Sequence, residues 1–305
     1  MIINLEKLLK GKMEDKTIIG VDIGGTNIRV GKVHRNNSII DLYSQQITST
    51  GSEQKVVDEI ITSVYKTFND SVLGIGVGVP SVVDVKNGIV YDVQNIPSLK
   101  EVYLKKILEE EFKVPAYINN DANCFVVGEK YFGIGKNYKD IVGVILGTGF
   151  GSGLYTNDKL YLGANCGAGE FGMLPYKDSN YEKYCSGQFF TKNLNTTGEE
   201  VYKRAVNGEK AALEIFNEFG QNIGYAISAI ILTLDPEIII LGGSVSKAYE
   251  YFKNSMKDVL NNFPYQNSIK KLKIVASKLN QVSILGAAAL YFENQKILLN
   301  ETELN

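Results

Sequence analysis

Gly20-Val21-Asp22-Ile23-Gly24-Gly25-Thr26-Asn27 is the stretch whose reading decides the fold. Thr17-Ile18-Ile19 leads into it and Ile28-Arg29-Val30-Gly31-Lys32-Val33 leaves it, and both flanks are short and β-rich. The pattern predicts a hairpin. It does not predict the strand, Gly-rich turn and helix of a dinucleotide fold, because no helical period follows the glycines. A Gly-Gly-Thr turn exposes several backbone N–H groups and a hydroxyl under little steric cover, which suits a phosphate. Asp22 stands just before the turn, where its charge repels a phosphate unless a divalent cation lies between them. Asp22, Gly24, Gly25, Thr26 and Asn27 therefore form one half of an expected nucleotide clamp, with an ordinary tight hairpin as the plainer alternative.

The arrangement returns in the second half of the chain. Ile141-Val142-Gly143-Val144-Ile145-Leu146 reads as a buried strand, Gly147-Thr148-Gly149-Phe150-Gly151-Ser152-Gly153 as a Gly-rich turn, and Leu154-Tyr155 as the start of a return strand. A repeated strand, Gly/Thr turn and strand implies an internal duplication and two related lobes. Two such turns in facing lobes are expected to hold one polyphosphate in the cleft between them.

The remaining segments fit around these hairpins. Residues 2–10, with Leu5, Leu8 and Leu9, predict a short helix, and 39–47 a third strand. Val56, Val57, Ile60, Ile61, Val64 and Phe68 recur at helical spacing, with Thr50 and Glu53 as a capping box. Residues 72–79 form a glycine-studded buried strand closed by Pro80, and a hairpin turns at Lys86-Asn87-Gly88. A helix over 102–112 and a strand at 116–118 precede Asn119-Asn120-Asp121-Ala122-Asn123, which opens a helix reaching Tyr131. Two helices fill 197–234 with a junction near Asn207-Gly208, and Asp235-Pro236 turns the chain into a strand at 237–241. Gly242-Gly243-Ser244 leads to a helix ending near Asn261, and a strand at 273–276 and a helix at 282–299 follow. This order predicts an α/β fold with mixed sheets. The expected lobes are 1–117 and 118–282, with a C-terminal helix, 283–305, packing back on the first.

The chain has 305 residues, 44% hydrophobic and 22% charged, a length that suits two domains better than one. The net charge of −2 and the absence of a Lys/Arg stripe argue against nucleic acid or acidic membrane as main partners. Charge interrupts Met1-Ile2-Ile3-Asn4-Leu5-Glu6-Lys7 too early for a signal peptide. The most apolar stretch, 223–234, is too short and too broken by Gly224 and Ser228 to span a bilayer. A cytoplasmic protein is expected. Cys124, Cys166 and Cys185, never spaced as C-x-x-C, read as reduced thiols. His34, the single histidine, falls at the end of an expected strand and reads as a solvated strand-end residue, which argues against Ser-His-Asp hydrolysis and a His-rich metal site.

Asp121 is the leading candidate for chemistry. It lies at a strand end and a helix start, and a carboxylate there can take the proton from an alcohol attacking phosphorus. A simple helix N-cap is the alternative. Glu170, in Gly167-Ala168-Gly169-Glu170-Phe171-Gly172, is a lone acid in a Gly-rich loop, where a surface turn is the cheaper explanation. Two phosphate-type turns with an Asp between them point to phosphoryl transfer.

With these motifs the chain resembles the ROK family of sugar kinases and sugar-responsive repressors, within the hexokinase and actin-like superfamily, from about Ile18 to Leu290. The resemblance implies two actin-like, ribonuclease H-like ATPase lobes with mixed sheets around a central cleft. It makes 20–27 the first phosphate motif, 146–151 (with Gly147, Thr148, Gly149 and Gly151) the second, and Gly242-Gly243 the turn near the adenosine. Asp121 becomes the implied base. Gly78 (in Gly76-Val77-Gly78-Val79-Pro80), Asn95, Asn120, Asp121, Glu170 and Glu182 become implied sugar ligands.

Two departures stand out. Met173 occupies the place of the family's usual His in Glu-x-Gly-His, and the zinc spacing C-x-C-G-x-x-G-C is missing, although Glu182-Lys183-Tyr184-Cys185-Ser186-Gly187 retains the Glu-x-x-x-Ser-Gly that follows it. No structural zinc is therefore expected. The implied activity is ATP-dependent phosphorylation of a hexose, glucose or a related sugar, with Mg²⁺ arranged through water by Asp22. A homo-oligomer, dimer or tetramer, is implied as well. The resemblance leaves open the sugar and its hydroxyl, and whether ATP or polyphosphate is the donor. A sugar-responsive regulator and a sugar-binding pseudokinase are the alternatives. The regulator is disfavoured because only 16 residues precede Thr17, too few for a helix-turn-helix.

Overall fold

The computed structural model describes residues 16–48, 51–93 and 96–303, with the backbone alone for 297–303. The helix expected at 2–10, the capping role of Thr50 and the sugar contact of Asn95 lie outside the described residues. In chain order the elements begin β1 (Thr17–Ile23), β2 (Asn27–His34), β3 (Ile39–Gln46), α1 (Glu53–Tyr65), β4 (Val72–Val79), β5 (Val82–Asp84), β6 (Ile89–Tyr91) and β7 (Glu101–Val102). They continue α2 (Leu104–Phe112), β8 (Ala116–Asn120), α3 (Asp121–Tyr131), β9 (Ile141–Leu146), β10 (Phe150–Thr156), β11 (Lys159–Tyr161), β12 (Pro175–Tyr176), β13 (Ser179–Asn180) and α4 (Tyr181–Cys185). The last are α5 (Gly198–Val206), α6 (Lys210–Leu234), β14 (Ile238–Gly242), α7 (Tyr249–Leu260), α8 (Gln266–Lys271), β15 (Lys273–Ala276) and α9 (Val282–Glu303). Among the described residues no helix is long and apolar enough to cross a membrane.

The chain forms two compact units, Met1–Phe132 with Leu279–Asn305, and Gly133–Lys278. The division falls after Phe132, not near residue 117, because α3 packs on α9 within the first unit. Gly128 of α3 sits so close to Gly286 that a Cβ would lie 2.8 Å from its Cα, and Phe132 meets Phe292 edge-on at 6.0 Å.

The first unit is built on a sheet of order β3-β2-β1-β4-β8. β3, β2 and β1 are antiparallel neighbours, whereas β1, β4 and β8 run parallel. All seven residues of β1 are buried, as expected for a central strand covered on both faces. Val56, Ile60 and Val64 of α1 and Leu104, Leu108 and Phe112 of α2 join the sheet's valines and isoleucines in one core. Each such side chain contributes roughly 1.5–3 kcal/mol by leaving water. α9 also packs directly on β4: a Cβ on Gly76 would fall 1.8 Å from the Ala287 carbonyl oxygen. Only glycine permits that approach.

Local details differ from the sequence expectations for physical reasons. Ser52 caps α1, accepting from the Lys55 N–H at 3.2 Å. The helix expected from 102 starts at Leu104, because Glu101 and Val102 pair with Tyr91 and Val90 as a third strand beside the β5–β6 hairpin.

The second unit repeats the topology, with sheet order β11-β10-β9-β14-β15, antiparallel from β11 to β9 and parallel from β9 to β15. Its core joins β9, β10 and β14 to α6 and α7 through Phe189, Phe190, Phe216, Phe219 and Phe252. The helix expected after Ser244 starts as a 3₁₀ turn, Val245–Ala248, before α7.

Candidate active site

In the first unit, β1, β4 and β8 end side by side. Their register aligns Asp22 with Gly78, Gly78 with Asn119, and Val79 with Asn120. Ligands of open α/β sheets bind beyond the carboxyl ends of such strands. α3 follows β8 at once, with Asp121 as its first residue. Asn120, not Asp121, is the N-cap: its side-chain oxygen accepts from the Asn123 N–H at 2.9 Å. Asn119 accepts from the Asn120 N–H at 2.9 Å and from the Asn123 side-chain amide at 3.0 Å, which fixes the turn. The Asp121 carboxylate accepts from the Ala122 N–H at 2.8 Å and stands at the positive end of the helix.

Cys124, fully buried one turn into α3, lies against Gly78, where a Cβ would sit 3.2 Å from its sulfur. Burial pushes its thiol far above the ordinary range, and the charges of Asp121 and then Asp22 push it further. The two carboxylates thus converge on one thiol at the end of the sheet.

Asp22 is buried and paired with Arg29, its register partner on β2. Nε of Arg29 donates to Oδ2 at 3.0 Å, Nη2 makes a second, closer bond to the same oxygen, and Nη2 also reaches Ser283 Oγ at 3.1 Å. Arg29 escaped the sequence reading, although period-2 pairing across the hairpin places it opposite Asp22. Its charge corrects the expectation that only a divalent cation reconciles Asp22 with a phosphate. Beyond Asp22 the turn closes through Gly24 N–H to Asn27 O at 2.9 Å, and the Asn27 side chain donates to Thr26 Oγ1 at 3.1 Å. Thr26 and Asn27 are exposed.

In the second unit the Gly147–Gly149 turn and Gly242-Gly243 end the neighbouring parallel strands β9 and β14, where Gly242 registers with Ile145. Gly243 has φ of +84°, and a Cβ there would fall 2.4 Å from the Leu146 carbonyl oxygen. The two turns therefore sit one upon the other. Glu182 braces the first of them: Oε2 accepts from the Phe150 N–H at 3.2 Å and Oε1 from Gln188 Nε2 at 2.9 Å. Ser186 Oγ donates to Thr148 O at 3.2 Å, and the Gly187 N–H to Gly147 O at 2.7 Å.

Beside this turn opens a cavity of about 750 Å³, lined by Gly147, Thr148, Gln188, Tyr202, Ser244 and Val245, with Lys192, Lys203 and Lys247 on its walls. Its volume suits a nucleotide-sized ligand. The lysines, Tyr202 and Gln188 were not found from sequence, since they come from separate short elements and share no motif.

Glu170 precedes a 3₁₀ turn, Phe171–Met173, and Ser152 Oγ donates to the neighbouring Gly169 carbonyl. Glu170 is exposed at its surface, yet surrounding protein limits its hydration. That desolvation, and next the charge of Glu182, raise its carboxyl above the usual value. The structure thus brings Glu170 and Glu182 within electrostatic reach. Met173, half exposed at 51%, offers no hydrogen bond.

The donor sets are fitted to metals differently. Both Arg29 contacts fall on one oxygen of Asp22, and among the described residues no group of three or more His, Cys, Asp or Glu could hold a metal ion. Asp22 therefore suits a hydrated magnesium ion, which binds through one carboxylate and keeps its waters. Near Met173 the residues do not fit zinc: among the described residues no group of three or more His, Cys, Asp or Glu is gathered there, and a structural zinc needs four such ligands.

The ROK family model matches residues 18–294. A glucokinase of Thermotoga maritima is 27% identical over 90% of this chain and 97% of its own length. The xylose repressor of Bacillus subtilis is 27% identical over 90% of this chain and 77% of its own. A ROK family glucokinase from Streptomyces griseus, solved with glucose and AMPPNP, matches with a TM-score of 0.74 at 24% identity, covering 90% of this chain and 98% of that one. This last likeness shows the shared fold.

Proposed function

The chain belongs to the ROK family, and from that premise we propose that it is an ATP-dependent sugar kinase acting on glucose or a related hexose. One observation carries the reading: Asp22, Gly78 and Asn119 stand in register at the ends of parallel strands, with Asp121 opening the next helix. An enzyme of this kind needs a base beside the acceptor and dipoles beside the donor. Asp121 takes the proton of the sugar hydroxyl, the hydroxyl oxygen bonds to the γ-phosphorus, and the bond to the ADP oxygen breaks. Asp22 would hold Mg²⁺ through water, and the ion would supply positive charge to offset that developing on the phosphates. Gly24, Gly25, Thr26 and Asn27 of the first unit, and Gly147, Thr148, Gly149 and Gly151 of the second, supply N–H groups and hydroxyl for the phosphates. Gly242 and Gly243 border the adenosine.

Gly78, Asn95, Asn120, Glu170 and Glu182 are the proposed sugar contacts. Asn120 caps its helix through the side-chain oxygen, so its amide hydrogens are the group offered to a hydroxyl. The protein is proposed to work without zinc, in the cytoplasm, as a homo-oligomer.

A coupled assay of ADP formation over a panel of hexoses and N-acyl hexosamines tests the reading. Sugar-dependent ADP release is the expected result. Sugar binding with no ADP release would instead identify a sugar-binding pseudokinase or regulator.

A further inference from the structure

Gln188 belongs to none of the motifs above, yet it stands between two charges. Its Nε2 donates to Glu182 Oε1 at 2.9 Å, and its Oε1 accepts from Lys192 Nζ. A carboxylate on one side and an ammonium on the other leave the amide a single orientation. The result is a continuous relay from the Phe150 N–H at the base of the Gly147–Gly149 turn, through Glu182 and Gln188, to Lys192. Gln188 and Lys192 both line the 750 Å³ cavity together with Gly147 and Thr148.

We propose that Gln188 is a positioning residue for the phosphate end of the donor, holding Lys192 beside the Gly147–Gly149 turn and offsetting the Glu182 charge behind it. This rests on the kinase reading for the identity of the ligand. The physical need is plain: Glu182 braces an anion-binding turn with a negative charge, which by itself repels phosphate. An amide polarised toward a lysine spreads that charge and keeps the cation in reach of the ligand.

The test is direct titration of the full-length protein with AMPPNP and with adenosine, alongside sugar-dependent turnover. Gln188→Leu removes the relay, so AMPPNP should bind about tenfold more weakly while adenosine binding and the sugar KM stay within about twofold. The paired swap Glu182→Gln with Gln188→Glu rebuilds every bond: the new amide at 182 accepts from Phe150 and donates to the new carboxylate at 188, which pairs with Lys192. Its AMPPNP affinity should return to within about threefold of the parent. Equal losses for AMPPNP and adenosine in Gln188→Leu, or no recovery in the swap with unchanged circular dichroism, would overturn the proposal. Absence of ADP release with normal AMPPNP binding would reject the kinase reading alone. A parent protein that binds adenosine but gains nothing from the triphosphate would reject the relay's role.

Discussion

The two units carry the same hairpin on the same sheet topology but arm it differently. In the first, four residues, Gly24 to Asn27, separate the paired Ile23 and Ile28; in the second, three residues, Gly147 to Gly149, separate Leu146 and Phe150. Two positions before the first glycine stands Asp22 in one unit and Ile145 in the other. The first turn thus has an acid on its own strand, neutralised by Arg29 across the hairpin. The second has an uncharged strand and borrows its acid from α4, where Glu182 braces the turn from outside. A duplicated scaffold has been divided into a side whose hairpin strand is itself charged and a side whose hairpin strand is neutral and takes its charge from Glu182 and the lysines around it.

The largest effect tests the charged side. Asp121→Asn should lower kcat by roughly 10²-fold or more in the ADP assay while leaving sugar affinity in place. Near-normal turnover would remove Asp121 from the mechanism. Asp22→Asn keeps the shape but not the charge, and should raise the Mg²⁺ concentration for half-maximal activity about tenfold; an unchanged requirement would mean that Arg29 alone serves the phosphates.

Gly149→Ala probes the neutral side. Its Cβ would meet Glu182 Oε2 at 2.5 Å and drive the carboxylate off the Phe150 N–H, so AMPPNP affinity should fall about fivefold. Unaltered affinity would show that the turn needs no brace.

The smallest effect concerns Glu170. Desolvation and Glu182 raise its carboxyl above the ordinary 4.5. The folded protein therefore holds this proton more tightly than the unfolded chain, and stability declines as pH rises from 4.5 through the folded value. Glu170→Gln removes that decline and should raise Tm by about 1 °C at pH 7, since solvent screens the site, with no gain at pH 4. A gain that persists at pH 4 would assign it to packing.

Much of this division was legible in the chain. Period-2 segments around Gly-rich turns gave the hairpins, and their repetition gave the duplicated topology, since such signals are local. What escaped depended on distant partners. Arg29 read as one more strand residue until register set it opposite Asp22. Asn120 took the capping role offered to Asp121, because the cap is decided by which backbone residue remains extended. The motif places Glu182 among the sugar contacts, but its grip on Phe150 is fixed only by where α4 packs. Gln188, Lys192 and Lys247 carry no local pattern at all.

The contact between Gly76 and Ala287 also orders events in time. The second unit is one unbroken segment, whereas the first is completed by residues from Leu279 onward. During synthesis the β1–β4 face must wait, apolar and uncovered, until the residues that follow the second unit have been made. The unit begun first is thus the last to close. Chains arrested before Val282 should expose that face to protease while the second unit already resists digestion.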